Sequence, residues 1–458
     1  MGCFFRIFLE CIAMLKPGLL VSVSVHSLTE KGDGIATLEG RPLYIEGALP
    51  DEQVEVHLNL VKPNFCQGTL VRVLQPSAAR REDFCRYTAC GGCQLRVMSD
   101  QAQLELKRQL LVDVLQAKGL DCPVANTLGM SEPFHYRNKA QYAVKPGPEI
   151  GFYAKHSHQL VEVDECRVQA PVTTEVVQRV RAWMRRCGVP AYNEITHSGS
   201  VRHIMVRDGI HSGELMVVLV VAEVPSNEAL AQLVSQLESI TGLASLMLNI
   251  NAAVGNRVLG LESRVLWGKE LIVDSLDGLE FAISPLSFYQ VNPRQTEVLY
   301  REAMRLAKLQ GNESVFDLYC GIGTISLFMA RHARQVIGIE LVPEAIVDAR
   351  ANAELNGITN IEFHQGAAEQ LVPRLYAEGV TADVVVVDPP RKGCDAALLA
   401  TLAEMQPSRL VYVSCNPKTL ARDLAWLCEH GFKLEQATPV DMFPHTMHVE
   451  TVALLTRV

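Results

Sequence analysis

The chain has 458 residues, of which 48% are hydrophobic and 20% charged, and that length predicts about three domains rather than one core. It lacks any apolar run of the roughly eighteen residues that a transmembrane helix needs, so a membrane-spanning role is excluded. A net charge of −9 does not advertise a polyanion binder, but a basic face can hide within such a total, and RNA stays open as a partner.

The first stretch, MGCFFRIFLECIAML, has the look of a targeting segment. Glu10 interrupts it, no small-residue cleavage site follows, and Arg6 stands where a myristoylation signal wants Ser or Thr. Met14 is read as the true start. From about residue 18 to 76, short runs of alternating apolar and polar residues are punctuated by EKGDG, Pro and Asp, which predicts a small OB-like β-barrel. The segment DQAQLELKRQLLVDVLQAKG, residues 100–119, carries a helical period and ends in glycine. Residues from about 130 to 284 read as mixed α+β, with strand-like RHIMVRD, ELMVVLVVAEV and SLMLNIN around a helix at 226–241. After FAISPLSFYQVNP, buried Val/Ile runs alternate with amphipathic helices. That is the pattern of an α/β, doubly wound Rossmann-like domain whose parallel sheet is covered on both faces. The expected organisation is therefore 15–76, 77–284 and 285–458.

In that last domain DLYCGIGT, 317–324, joins a strand to a helix through Gly321 and Gly323, the geometry of a ligand loop. It is neither GxGxxG nor a phosphate loop, which disfavours dinucleotides and NTPs. Glu340 closes the next strand, 17 residues after Gly323, where a carboxylate accepts both hydroxyls of a ribose. Together they suggest an adenosyl ligand such as S-adenosylmethionine. A later strand ends in DPPRKG, where two prolines stiffen the loop that presents Asp388.

The following strand delivers Cys415 within SCNP, at the same sheet edge. Thr419 is placed to cap the next helix, whose dipole would lower the thiol pKa. Glu450 opens the final apolar strand, where burial would raise its pKa and suit it as a proton acceptor.

Thirteen cysteines without a secretory signal predict reduced thiols rather than a disulfide scaffold. Three of them, Cys85, Cys90 and Cys93, fall in CRYTACGGC with C-x4-C-x2-C spacing. A metal site would need a fourth ligand, with Cys66, Cys122 and Cys166 as candidates, and the spacing fits zinc or a [4Fe–4S] cluster.

The motifs SFYQVNP, DLYCGIGT, DPPRKG, VSCNPKTLARDL and DMFPHTMHVE together resemble the bacterial RNA uracil-C5 methyltransferases, from about Leu15 to the end of the chain. The resemblance implies a TRAM domain for the barrel. It implies a [4Fe–4S] cluster on Cys85, Cys90, Cys93 and Cys166, with C-x4-C here where the ribosomal enzymes have C-x5-C. It implies S-adenosylmethionine binding by Gln290, Tyr319, Thr324, Glu340 and Asp388, Cys415 as nucleophile and Glu450 as base. Barrel and cysteines point within that family to 23S rRNA rather than tRNA, and the resemblance leads us to expect a cytoplasmic monomer.

Overall fold

The computed structural model describes residues 15–155 and 157–458; the reading of Met14 as the start lies outside the described residues. The described chain forms two compact units. One holds the stretch ending at Phe84 with Cys93–Ala102 and His445–Met447, and the other holds Cys85–Gly92, Gln103–Pro444 and His448–Val458.

The first unit is the expected barrel. Strands β1 (Leu20–Leu28), β2 (Gly34–Leu38), β3 (Arg41–Glu46), β4 (Gln53–Val61) and β5 (Cys66–Gln75) close in the order β1-β2-β3-β5-β4, with β4 returning to β1. Alternate residues point inward, so Val23, Val25, Val54, Val56 and Leu58 meet Leu43 and Ile45 in one core. Buried Glu52 accepts from the Leu49 and Ser77 amides at 2.8 and 3.3 Å and from the Arg80 guanidinium, which pins the exit from the barrel.

In the second unit, which takes α1 (Asp100–Gln116) from Gln103 onward, that helix is followed by β6 (Lys139–Lys145), β7 (Glu149–Tyr153), β8 (Leu160–Glu162), α2 (Val172–Cys187), β9 (Val201–Asp208), β10 (Leu215–Val221), α3 (Asn227–Leu237), β11 (Leu243–Ile250) and β12 (Glu262–Gly268). Its strands form one sheet in the order β12-β11-β10-β9-β6-β7-β8. Helices α2 and α3 cover one face, where Trp183, Val180, Leu233 and Leu237 meet Val206, Val217 and Leu219. The opposite face carries Met205, Met216, Val218 and Met247, which belong to the core of the sheet that follows.

The chain continues through the hairpin β13 (Ile272–Leu276) and β14 (Leu279–Ile283), then α4 (Pro293–Ala307), β15 (Ser314–Leu318), α5 (Thr324–Ala330), β16 (Gln335–Glu340), α6 (Pro343–Leu355), β17 (Ile361–Gln365), α7 (Ala368–Ala377), β18 (Val384–Val387), α8 (Ala396–Met405), β19 (Arg409–Ser414), α9 (Pro417–Glu429), β20 (Phe432–Val440) and β21 (Glu450–Arg457). The strand order is β17-β16-β15-β18-β19-β21-β20. Strands β15 to β19 pair in parallel, as the sequence pattern requires, whereas β21 runs antiparallel between β19 and β20. Leu111 and Leu115 of α1 pack with Phe316, Leu318 and Leu434 on this sheet, and Val124 and Leu128 bridge the outer edge of β20.

The turn from β20 to β21 is held by donors from several elements. Fully buried Lys107 of α1 donates to the Asp441 carboxylate and, at 3.1 Å, to the Phe443 carbonyl. Gln295 donates to the Asp441 carbonyl at 3.1 Å, Asn292 to that of Met442 at 3.0 Å, and Tyr136 to that of Pro444 at 3.1 Å. Removing one partner of a buried ion pair strands the other charge. Lys107→Ala is therefore expected to lower stability by about 3 kcal/mol or more in urea melts, and the apolar pair Lys107→Met with Asp441→Leu to recover most of it.

Candidate active site

Strand β15 ends in a loop whose backbone is left-handed at Tyr319 (φ 67°), Gly321 (φ 56°) and Gly323 (φ 82°). At Gly323, a Cβ would stand 3.0 Å from both Leu327 and Phe363, so a side chain there would be crowded as well as strained by the left-handed backbone. Glu340, at the end of β16, accepts from Gly321 N at 3.1 Å through Oε2 and from Val342 N at 2.9 Å through Oε1. Both oxygens keep a lone pair, so a carboxylate fixed in direction still offers two acceptors to a diol.

Thr324 opens α5 with its hydroxyl 2.9 Å from that of Tyr300. Tyr319 turns its ring toward Cys394 in the apolar cluster under α8, and burial pushes its phenol above the usual range. Half-buried Gln290 is fixed from the central sheet, because Asn138 donates through Nδ2 to the Gln290 carbonyl (3.1 Å) and through its backbone N–H to Val291 O (2.9 Å). Asp317, which the sequence reading left without a role, is fully buried beneath the loop. It accepts from Ser326, and burial pushes its carboxyl up to about 7.

Strands β18 and β19 deliver the remaining groups. Asp388 follows β18, and burial raises it to about 6. The loop after it turns at Gly393, where a Cβ would lie 2.5 Å from Asp423 Oδ2. That turn anchors on α9: Asn416 Nδ2 and Thr419 Oγ1 both donate to Arg391 O at 3.1 Å. Asn416 rather than Thr419 caps α9, accepting from Lys418 N at 3.1 Å with Pro417 at the first helical position.

Cys415 follows β19, half-buried. Its thiol is not depressed as the helix-dipole argument predicts. Burial, then the Glu450 and Asp388 carboxylates, push it up, while the Arg391 guanidinium pulls it partly back. Desolvation and two like charges outweigh a dipole worth a fraction of a charge. Glu450 is 5% exposed; burial and then Asp388 raise it to about 8, against Arg391. Arg391, in the DPPRKG loop, thus faces Cys415 and Glu450 and lies 3.3 Å from His448 Nδ1. Burial, then Arg391, Lys107 and Arg137, hold His448 below its ordinary value.

In the cysteine segment, Cys90 bridges to Ala154, Gly91 N donates to Tyr153 O at 3.4 Å, and Asp164 N donates to the Tyr87 hydroxyl at 3.0 Å. Cys166 feels Cys90 and Cys85. Burial raises its thiol, and the Val168 and Gln169 amides, donating to its sulfur, oppose that. Cys93 belongs to the other unit. Among the described residues, no group of three or more His, Cys, Asp or Glu side chains is arranged to hold a metal ion.

Residues 99–458 match the model of the tRNA (uracil-5-)-methyltransferase family. The chain belongs to that family. An uncharacterized RNA methyltransferase of Clostridium tetani is 44% identical over 449 residues, covering 96% of this chain and 97% of its own length. Another, from Halalkalibacterium halodurans, is 45% identical over 444 residues, covering 95% and 96%. Among solved structures, the Pyrococcus abyssi tRNA (uracil-54, C5)-methyltransferase in complex with S-adenosyl-L-homocysteine superposes with a TM-score of 0.77 at 27% identity, covering 95% of this chain and 99% of that one. The chain is thus an S-adenosylmethionine-dependent RNA methyltransferase of the uracil-5 family, as the motifs implied.

Two titrations check the electrostatics. Alkylation of Cys415 by iodoacetamide is expected to show an apparent pKa above that of a free thiol, lowered by Asp388→Asn and raised further by Arg391→Ala. For Glu450 the folded carboxyl sits near 8 against 4.5 for the unfolded group, so the folded state binds more protons between those values and its stability falls as pH rises through that window. Glu450→Gln removes this dependence, so its melting temperature should gain on the wild type from about pH 5 to pH 8.

Proposed function

We propose that this methyltransferase transfers a methyl group from S-adenosylmethionine to C5 of a uridine in 23S rRNA through a covalent adduct with Cys415. The observation that carries the reading is the grouping of thiol, buried carboxylic acid and guanidinium at Cys415, Glu450 and Arg391. S-adenosylmethionine supplies the methyl group on a positively charged sulfur. The glycine loop, Glu340, Gln290, Thr324 and Asp388 hold it, with Tyr319 contributing its left-handed backbone.

Uracil C5 is a weak nucleophile until C6 is saturated. Cys415 as thiolate, favoured by Arg391, bonds to C6, and the displaced electron pair makes C5 an enolate carbon able to take the methyl group. Glu450 then removes the remaining C5 proton, the C6–S bond breaks, the thiolate departs and the 5,6-double bond returns. A carboxyl near 8 is both partly ionised at neutral pH and basic enough for that proton. The target base reaches this edge from a loop or by leaving its stack.

The barrel is proposed as a TRAM domain that contacts RNA, in a cytoplasmic monomer. Cys85, Cys90, Cys93 and Cys166 are proposed to hold a [4Fe–4S] cluster. Two backbone amides donating to the Cys166 sulfur fit a thiolate ligand, and the cluster would serve a structural or RNA-positioning role rather than a redox one, since the transfer moves no net electrons. The Pyrococcus neighbour, by its name, acts on uracil 54 of tRNA, which favours tRNA as the second reading.

Cys415→Ala is expected to reduce methyl transfer by about three orders of magnitude or more and to form no adduct with 5-fluorouridine RNA; a trapped adduct in that variant would falsify the nucleophile. Glu450→Gln should slow turnover about 10²-fold or more while covalent enzyme–RNA accumulates, and lost activity without adduct gives Glu450 another role. Mapping 5-methyluridine in cells with and without the gene decides between the RNAs, by whether the mark vanishes from ribosomal or from transfer RNA. Anaerobically purified protein should carry iron and acid-labile sulfide; zinc without sulfide overturns the cluster.

A further inference from the structure

On the central sheet, Ala140, Tyr142, Val144, Ile204 and Val206 face α2 and α3. Alternation therefore turns Lys139 and Arg207 to the other face, the one bearing Met205. The two cations are direct partners across β6 and β9. Like charges opposite one another destabilise a sheet. Arg137, two residues before Lys139, adds a third, and both arginines depress the Lys139 ammonium, which burial lowers first, to about 8.

Among the described residues, the charges that act on Lys139 are the two arginines, and burial alone lowers Arg207. Arg207 is 3% exposed and donates to the Pro285 and Ser287 carbonyls at 3.2 and 2.5 Å, while its Nε, like that of Arg137, is buried without a hydrogen-bond partner. The neighbouring Asp208 is raised by burial and by Asp274, with no cation opposing. Buried donors aimed at no acceptor call for an anion.

The position says which one. Arg207 grips the loop that leads into Gln290, and Arg137 acts on His448, which contacts Arg391 beside Cys415. We propose that Arg137, Lys139 and Arg207 form a cradle for an RNA backbone phosphate flanking the uridine presented to Cys415. The proposal rests on the reading of RNA as substrate. Guanidinium forks match a phosphate's oxygens, and the anion would cancel the repulsion that the sheet now carries.

The test measures binding of unmodified 23S rRNA and tRNA transcripts from 50 to 200 mM KCl by wild type, Lys139→Met, Lys139→Arg and Arg137→Gln. Lys139→Met is expected to weaken binding about tenfold at low salt, flatten the log–log salt slope by about one and raise the KM for RNA. Its KM for S-adenosylmethionine and its melting temperature should hold or improve, and Lys139→Arg should keep the wild-type slope. Arg137→Gln, at a half-exposed position, repeats the loss should Lys139→Met misfold. Wild-type methyl transfer with unchanged affinity and slope in both variants overturns the cradle alone; wild-type protein that neither binds nor methylates RNA overturns the substrate reading and the cradle together.

Discussion

The register between β19 and β21, with Ser414 opposite Thr451, is the constraint on which the site depends. An antiparallel neighbour begins where its partner ends, so the first residue of β21, Glu450, is brought to the last turn of β19, beside Cys415. A slip of one residue would send every side chain of β21 to the opposite face and take Glu450 out of the site. The same strand pairs Glu450 with Val440 of β20, which closes the sheet behind the carboxyl and desolvates it.

That enclosure sets the chemistry. Asp388 raises the proton affinity of both Glu450 and Cys415, Glu450 adds to that of Cys415, and Arg391 is the counterweight on the thiol and on Glu450. Groups so raised hold their protons, and Lys107, Gln295, Asn292 and Tyr136 fix the backbone of residues 441–444 that leads to Glu450. Stability and reactivity therefore meet in one turn of chain.

Several elements escaped the sequence pattern for identifiable reasons. Helix α7 holds Pro373 in its interior, and β20 carries a register shift between Leu434 and Gln436 together with Pro439. Helix α2 lies where the pattern was read as mixed, and α4 in a stretch given no assignment, although Asn292 caps α4 with Pro293 at its first position, a start signal visible in the letters. Asp317 was quoted within its motif, yet its burial could not be read, because that depends on Ser326 and on a loop folding over it.

The sequence by itself determined the barrel, the parallel α/β sheet, and the family through five short motifs, because each rests on local periodicity or on residues adjacent in the chain. Only the tertiary structure decided that the thiol is raised rather than lowered, that Arg391 faces the thiol, and that Lys139 and Arg207 are partners across one sheet face. Proton affinity follows burial and the charges nearby, and those come from strands far apart in sequence that meet only once the sheets are packed.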